Sequence, residues 1–219
     1  MLRVTLLKNI KIDNKFLTIL YYTMTKFVIF DTETTGLPKF SNKDAVLEKD
    51  NWPDIVSLSY VVYDISNGKK LIKKMDSIVK PKGWIIPEES VQFHHITQEH
   101  AIEKGEDLYD VLANFIDDIQ GAKLIVAHNL RFDKNVVFNA MKWRLDIDPT
   151  DMWPHNADFC SFEQYKREVG HTRKKLNLNA MYEDTFKKPA PLNAHNSMRD
   201  VEVLDEIFWE RWVSLPRSS

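Results

Sequence analysis

The apolar positions in the first half of the chain follow the pattern of β-strands. Residues 27–30 are four bulky apolar residues with a β-branched pair in the middle, which predicts a central strand buried on both faces. Residues 55–65 alternate in part and are rich in β-branched and aromatic residues. Residues 69–80 follow them after Asn67-Gly68, a dipeptide typical of tight hairpin turns. The three segments predict an antiparallel meander.

Helical and strand patterns alternate in the second half of the chain. Thr97, followed by Gln98 and Glu99, has the character of a helix N-cap. Further helices are predicted over 107–119, 132–144, 162–169, 176–182 and 196–212, a buried strand over 123–127 and a short edge strand over 157–161. A hairpin followed by alternating strands and helices predicts an α/β fold, a mixed sheet flanked by helices.

The two ends and two connections lie outside this pattern. Residues 1–25 are basic and poor in acids, so we expect an extension, either an upstream start before Met24 as a second initiator or a transit peptide. We expect the functional domain to span residues 26–212, followed by a short tail at 213–219. Residues 39–54 and 146–157 are polar or irregular, which predicts surface loops.

Composition narrows the class of protein. A chain of 219 residues with 43% hydrophobic and 28% charged residues is typical of one soluble domain. Its net charge of −2 means that a polyanion must be held by local basic patches or metal ions. The single cysteine, Cys160, excludes an internal disulfide and fits a reducing intracellular compartment, the cytoplasm or nucleus. No apolar run reaches the ~18 residues of a transmembrane helix.

Two carboxylates follow the apolar run at 27–30. Asp31 and Glu33 lie on the same side of the predicted strand, roughly 6.6 Å apart along the backbone. Buried carboxylates are costly unless a positive charge lies between them. A divalent cation with oxygen ligands, Mg²⁺ above all, would supply that charge. The alternative is a strand end that runs into solvent.

Two further acids are predicted near strand ends or helix starts. Asp133 follows a buried strand, and Asp200 lies one turn into the last helix, five residues after His195. Ligands gather at the carboxyl ends of strands, so both acids could join Asp31. Taken alone, each acid has another explanation, because the helix dipole favours acidic residues in the first turn of a helix.

The acids taken together favour a metal site. Four converging carboxylates repel one another unless a pair of divalent cations neutralises them. A pair of bound cations builds a phosphoryl-transfer site. His195 has an ordinary pKa near 6.5, which suits it to accept a proton from water at neutral pH.

Basic and aromatic side chains could provide local contacts to a polyanion. The basic residues are Lys166, Arg167, Arg173, Lys174, Lys175, Lys187 and Lys188, with Arg131 and Lys134 on either side of Asp133. They form either a solvated face or a track for a nucleic-acid backbone. The loop aromatics Phe40, Trp52, Trp84 and Trp153 either stack on bases or belong to the core.

Four motifs occur in a characteristic order: DTETTGLP at 31–38, HHIT at 94–97, AHNLRFD at 127–133 and AHNSMRD at 194–200. In this order they resemble the DEDDh exonucleases of the ribonuclease H-like superfamily, and most of all the proofreading exonucleases of the DNA polymerase III epsilon-subunit type. The similarity covers residues 26 to about 211. It implies a mixed five-stranded sheet, an antiparallel three-strand meander and then parallel strands, with helices on both faces.

The resemblance implies a role for each matched residue. Asp31, Glu33 and Asp200 would hold the metal that binds the attacking water, Asp31 and Asp133 would hold a second metal, and His195 would be the general base. The metals would be two Mg²⁺ ions, for which Mn²⁺ would substitute. The residues implied to contact the substrate are Thr34, Thr35, Leu37, His95, Ile96, His128, Asn129, Phe132 and Lys175.

The second motif departs from the family pattern. The family commonly has Gly after the first His, whereas this chain has His94-His95. Both histidines are therefore candidates for that role.

The resemblance implies a metal-dependent 3′→5′ exonuclease that releases nucleoside 5′-monophosphates from single-stranded or frayed 3′ ends. DNA is expected rather than RNA, in proofreading, repair or degradation, and a separate polymerase is a further candidate partner. One alternative is an exoribonuclease on the same fold. The other is a non-catalytic module that binds nucleic acid or a polymerase.

Overall fold

The computed structural model describes most of the chain, namely residues 26–40, 48–66, 68–155, 157–170, 176–191 and 196–213. The predictions for residues 1–25, Asn67, Lys175, His195 and the tail after residue 213 concern residues outside these ranges.

A five-stranded mixed sheet forms the centre of the protein. Its strands are β1 (Lys26–Thr34), β2 (Ile55–Asp64), β3 (Lys70–Ile78), β4 (Leu124–Ala127) and β5 (Asp158–Cys160). They lie in the order β3-β2-β1-β4-β5. β1 to β3 pair antiparallel, whereas β4 pairs parallel with β1 and with β5. The sheet confirms the predicted fold class, with the strand of the four apolar residues at its centre.

Seven α-helices flank the sheet in the described part of the chain. They are α1 (Glu88–His94), α2 (Gln98–Lys104), α3 (Leu108–Ile119), α4 (Leu130–Asn139), α5 (Ser161–Val169), α6 (Leu178–Phe186) and α7 (Ser197–Trp212). Thr97 caps α2 as predicted, because its side chain accepts a hydrogen bond from the His100 N–H. None of the described helices has the length and apolar character needed to cross a membrane.

The two faces of β1 pack into different core clusters. Val28 and Phe30 belong to a cluster that includes apolar residues of α3 and α4. Phe27 and Ile29 belong to a second cluster, made largely with α6 and α7. Because side chains alternate along a strand, Asp31 and Glu33 continue the face covered by α7.

The structure corrects several predicted boundaries. The helix predicted over 132–144 is α4 followed by a π-helical turn, Ala140–Arg144. The helix predicted over 176–182 begins and ends later, as α6, because Asn177 caps it by accepting the Ala180 N–H. α1 was not predicted at all.

Part of the predicted surface loop at 39–54 is buried instead. Asn51 and Trp52 are 3% and 7% exposed. Trp153, also predicted in a loop, packs edge-on against Phe30 in the first core cluster. The core alternative therefore holds for both tryptophans, while Phe40 is 59% exposed.

Candidate active site

Asp31 and Glu33 lie where β1 runs past the end of its parallel neighbour. The pairing of β1 with β4 reaches Ile29, whereas β1 continues to Thr34. On its other edge Asp31 pairs with Ser59 and Glu33 with Ser57 of β2. The strand thus carries both carboxylates into the opening at the carboxyl end of the sheet.

The start of α7 brings Asp200 to the same place. Asn196 caps this helix by accepting the Arg199 N–H, and Asp200 lies in the first turn. One carboxylate oxygen from each of Asp31, Glu33 and Asp200 lies within 4.8 Å of the others. The three acids predicted for one metal therefore form one cluster.

Asp133 approaches β1 from α4. Its Oδ1 accepts hydrogen bonds from the Thr32 hydroxyl at 2.7 Å and from the Thr32 N–H at 3.2 Å. The side chain is only 2% exposed. β4 pairs with β1 only as far as Ile29, so Thr32 has no partner on that edge among the described strands. The Asp133 carboxylate accepts the Thr32 N–H instead. Thr32 in turn fixes the orientation of the fourth carboxylate, a role that the sequence did not indicate.

Burial raises the pKa values of three of the four acids, and neighbouring carboxylates raise those of Asp31 and Glu33 further. Burial raises the pKa of Asp31 well above 3.8, and the charges of Asp133, Asp200 and Glu33 raise it further. Burial and then Asp200 and Asp133 raise the pKa of Glu33 to about 8. Burial also raises the pKa of Asp133 to about 7, although the bonds from Thr32 oppose this. Without a cation, the site therefore retains protons near neutral pH.

A divalent cation fits this donor set. The cluster supplies carboxylate oxygens, which Mg²⁺ and Mn²⁺ prefer. A cation there would reverse the effect of the mutual repulsion and favour the ionised acids. Asp31, Glu33 and Asp200 thus form a cluster that could hold a cation, and the assignment of all four acids as metal ligands stays a prediction.

A cavity of about 400 Å³ adjoins the carboxylates. Its lining includes four of the predicted substrate residues, Thr34, Thr35, Leu37 and Phe132. Leu37 is 83% exposed. The Thr34 hydroxyl donates to the Gly36 carbonyl, and the Thr35 hydroxyl accepts the Asp54 N–H. The turn after β1 is thereby held in a shape that exposes the Leu37 side chain.

α1 contributes the other wall of the cavity, through Glu89, Ser90, Phe93 and His94. Of these four residues only His94 is a candidate from the sequence, because no helix is predicted over residues 88–94. Proline followed by the acids Glu88 and Glu89 is a helix-start signal, and Pro87 is the N-cap of α1.

His94, rather than His95, faces this cavity. The His94 Nδ1 accepts the Ile96 N–H at 3.1 Å, so a neutral ring carries its proton on Nε2. Nε2 is buried without a hydrogen-bond partner among the described residues. Burial and His95 lower the pKa of His94, which keeps the ring neutral. His94 therefore lines the cavity and carries a buried Nε2–H donor that has no partner among the described residues.

The placement of His95 and Ile96 differs from the predicted one. His95 ends α1 in the left-handed conformation, at φ 61°, and its side chain is exposed. Ile96 is buried in a small third core cluster. Neither belongs to the cavity lining, because the left-handed turn at His95 separates the two histidine rings.

His128 and Asn129 do not line the cavity. His128 Nδ1 is 3.0 Å from the Ser161 hydroxyl. Burial lowers the pKa of His128 to about 4, so the ring is neutral at pH 7. Asn129 adopts a left-handed conformation, φ 68°, immediately before α4. Both residues shape the turn that leads to Asp133.

The fold and the carboxylate cluster together define a ribonuclease H-like nuclease. The family model RNase_T, described as Exonuclease, matches residues 28–208. The chain belongs to this exonuclease family, a hydrolase family of the DEDD type that implies dependence on divalent metal ions.

Solved structures of Escherichia coli exonuclease I share the fold. The zinc-bound complex with single-stranded DNA gives a TM-score of 0.66 at 18% identity, covering 86% of this chain and 41% of that one. The complex with a dT13 oligonucleotide gives 0.65 at 19% identity, again covering 86% and 41%. This chain therefore spans less than half the length of those proteins. No curated protein gives a significant sequence match, and the nearness to epsilon-subunit exonucleases stays a prediction.

Proposed function

We propose that the protein is a 3′→5′ exonuclease that removes nucleoside 5′-monophosphates from the 3′ ends of single-stranded or frayed DNA. One observation carries the proposal: three clustered carboxylates lie at the edge of a cavity of about 400 Å³, and Glu33 belongs to both. A terminal nucleotide in that cavity would present its phosphodiester to the acids.

Each acidic residue has a proposed task. Asp31, Glu33 and Asp200 would hold one Mg²⁺, and Asp31 with Asp133 a second, with Mn²⁺ able to substitute. Divalent ions at such a site supply positive charge that lowers the pKa of water and stabilises the leaving oxygen. His195 is proposed as the general base, since an imidazole with a pKa near 6.5 accepts protons at neutral pH.

The cavity residues would hold the terminal nucleotide. Leu37 and Phe93 are exposed apolar side chains on opposite walls, suited to contact the faces of a base. The Nε2–H of His94 would donate to an oxygen of the sugar or phosphate. Roles in proofreading, repair or degradation, and a separate polymerase partner, are proposals on the same basis.

The proposal is tested with oligonucleotides labelled at the 5′ end. In Mg²⁺ or Mn²⁺, a single-stranded DNA substrate should shorten stepwise from its 3′ end, and EDTA should stop the reaction. A matched RNA oligonucleotide discriminates the exoribonuclease alternative, because only RNA offers 2′-OH contacts. Binding of single strands without turnover in either metal would instead support the non-catalytic module.

Replacement of Thr32 by Val should lower kcat. The change keeps the β-branched shape but removes the hydroxyl that donates to Asp133 at 2.7 Å. A lost hydrogen bond to a charged group corresponds to roughly a tenfold decrease. Thr32→Ser retains the donor and should keep near wild-type kcat in the same steady-state assay. Equal rates for Val and Ser would show that this bond does not support Asp133 in catalysis.

Replacement of His94 by Phe should raise KM for a single-stranded oligonucleotide. The variant loses the Nε2–H donor and the Nδ1 acceptor of the Ile96 N–H. A single lost hydrogen bond predicts an increase of about five- to tenfold. His95→Phe is the matched control, since His95 is exposed outside the cavity. If His95→Phe raised KM more than His94→Phe, the assignment of the two histidines would be wrong.

A further inference from the structure

Three buried serine hydroxyls lie next to the carboxylate cluster. Ser57, Ser59 and Ser197 are 2%, 0% and 1% exposed. The Ser197 Oγ is 2.9 Å from the Ser57 Oγ and 2.6 Å from the Ser59 Oγ. The Ser59 hydroxyl also donates to Asp76 Oδ1 at 2.7 Å. One hydrogen-bond chain thus joins β2, β3 and the first residue of α7.

The hydrogen bonds of this network run in one direction, which is determined by its final acceptor, the Asp76 carboxylate. A hydroxyl has one proton to donate and two lone pairs to accept with. Ser59 uses its proton on the Asp76 carboxylate, so it accepts from Ser197. Ser197 has then used its own proton, so it accepts from Ser57. The order of donation is Ser57 to Ser197 to Ser59 to Asp76.

These hydroxyls adjoin the carboxylates through the sheet and the helix. Ser59 and Ser57 are the register partners of Asp31 and Glu33 on the same face of the sheet, where cross-strand neighbours lie ~5 Å apart. Ser197 precedes Asp200 by three residues in α7, a spacing that places both on one side of a helix. The bonds therefore join α7 to the sheet beside all three clustered acids.

Apolar contacts would hold the helix here less specifically. Dispersion and burial are not directional, so a helix resting on apolar side chains can shift with little change in energy. Hydrogen bonds are restricted in length and angle, and a satisfied buried network selects one arrangement. The second core cluster holds α7 against the sheet, and the serines define where its first turn lies.

We propose that Ser197, with Ser57, Ser59 and Asp76, positions Asp200 relative to Asp31 and Glu33 for metal binding. These are positioning residues, because they act through the acids and not on the substrate. The inference rests on the proposed metal-dependent function. The inference names residues other than the four acids and His195 that should control metal affinity.

The test measures Mg²⁺ affinity directly. Metal-free protein is titrated with Mg²⁺ while the rise in Tm is followed, and kcat and KM are measured on single-stranded DNA. Ser197→Ala should weaken Mg²⁺ binding about tenfold, as is typical for residues that orient metal ligands. It should lower kcat at limiting Mg²⁺, leave KM unchanged, and regain activity at high Mg²⁺.

Asp76 gives a second, more distant pair of variants. Asp76→Ala removes the final acceptor and should weaken Mg²⁺ binding in the same direction, whereas Asp76→Asn keeps a carbonyl acceptor and should remain near wild type. Ser77→Ala is the control, because Ser77 is buried on the same strand but its side chain alternates to the opposite face.

Two results overturn the inference in different ways. If Ser197→Ala and Asp76→Ala lower Tm but leave Mg²⁺ affinity and kcat unchanged, the chain only stabilises the fold. That result leaves the proposed function intact. If the wild-type protein neither binds Mg²⁺ nor degrades DNA, the proposed function fails and this inference fails with it.

Discussion

Replacement of Asp31 by Asn should reduce kcat/KM on single-stranded DNA by about 1,000-fold, equivalent to about 4 kcal/mol of transition-state stabilisation. Asp31 is the acid on which the charges of Asp133, Asp200 and Glu33 all act. It is also the proposed ligand of both metal ions. The amide keeps the shape of the side chain and removes the charge that a cation requires. Stopped-flow or steady-state kinetics at saturating Mg²⁺ would measure the decrease in kcat/KM.

The same variant should be more stable than the wild type when metal is absent. Burial and three neighbouring carboxylates raise the pKa of Asp31, so its ionised form is unfavourable in the folded protein. Asp31→Asn should therefore raise Tm in EDTA and reduce the Tm increase caused by Mg²⁺. Asp117→Asn, an exposed acid of α3, should change neither activity nor Tm appreciably. Full activity in Asp31→Asn would refute the proposed site.

The stability of the metal-free protein should fall as pH rises from about 5 to about 8. The folded-state pKa values of Glu33 and Asp133 are raised, to about 8 and about 7. In this window the folded protein holds protons that the unfolded chain has lost, so each rise in pH favours unfolding, by up to ~1.4 kcal/mol per pH unit for each group. Above the folded-state pKa values the dependence should level off.

Saturating Mg²⁺ should oppose this fall. A cation binds the ionised acids, so its stabilising effect should grow with pH over the same window. Tm measured in EDTA and in Mg²⁺ across the pH range would show two curves that diverge as pH rises. Glu33→Gln should have a shallower slope in EDTA, because one of the perturbed groups is gone. Parallel curves for the two conditions would mean that the carboxylates do not bind the cation.

The sequence did not predict the cavity wall formed by α1, and the reason is local. The left-handed backbone at His95 ends α1 and separates the two histidine rings. A His-His pair in a sequence does not say which residue will adopt that conformation, so the sequence leaves both histidines as candidates for the cavity. The helix-start signal of Pro87 followed by Glu88 and Glu89 is present in the sequence, but no helix is predicted from it. Seven residues of α1 were thereby lost from the prediction.

The sequence by itself determined the family, the order of the strands and the order of the described helices apart from α1. It also determined the carboxylates of the central strand, because a buried run followed by Asp31 and Glu33 is a local pattern with a period of two. The cap Thr97 was predicted for the same reason, since a cap bonds N–H groups two or three residues away. Local periodicity and local hydrogen bonding leave signals that can be recognised within a few residues.

Only the tertiary structure decided how distant groups meet. Thr32 bonds Asp133 across 101 positions of the chain, and Ser57 lies beside Ser197 across 140. Neither pair leaves a periodic signal, because the contact depends on how α4 and α7 pack on the sheet. The sequence therefore named the acids, whereas the packing of two helices against β1 and β2 decided their distances, their raised pKa values and the residues that hold them in place.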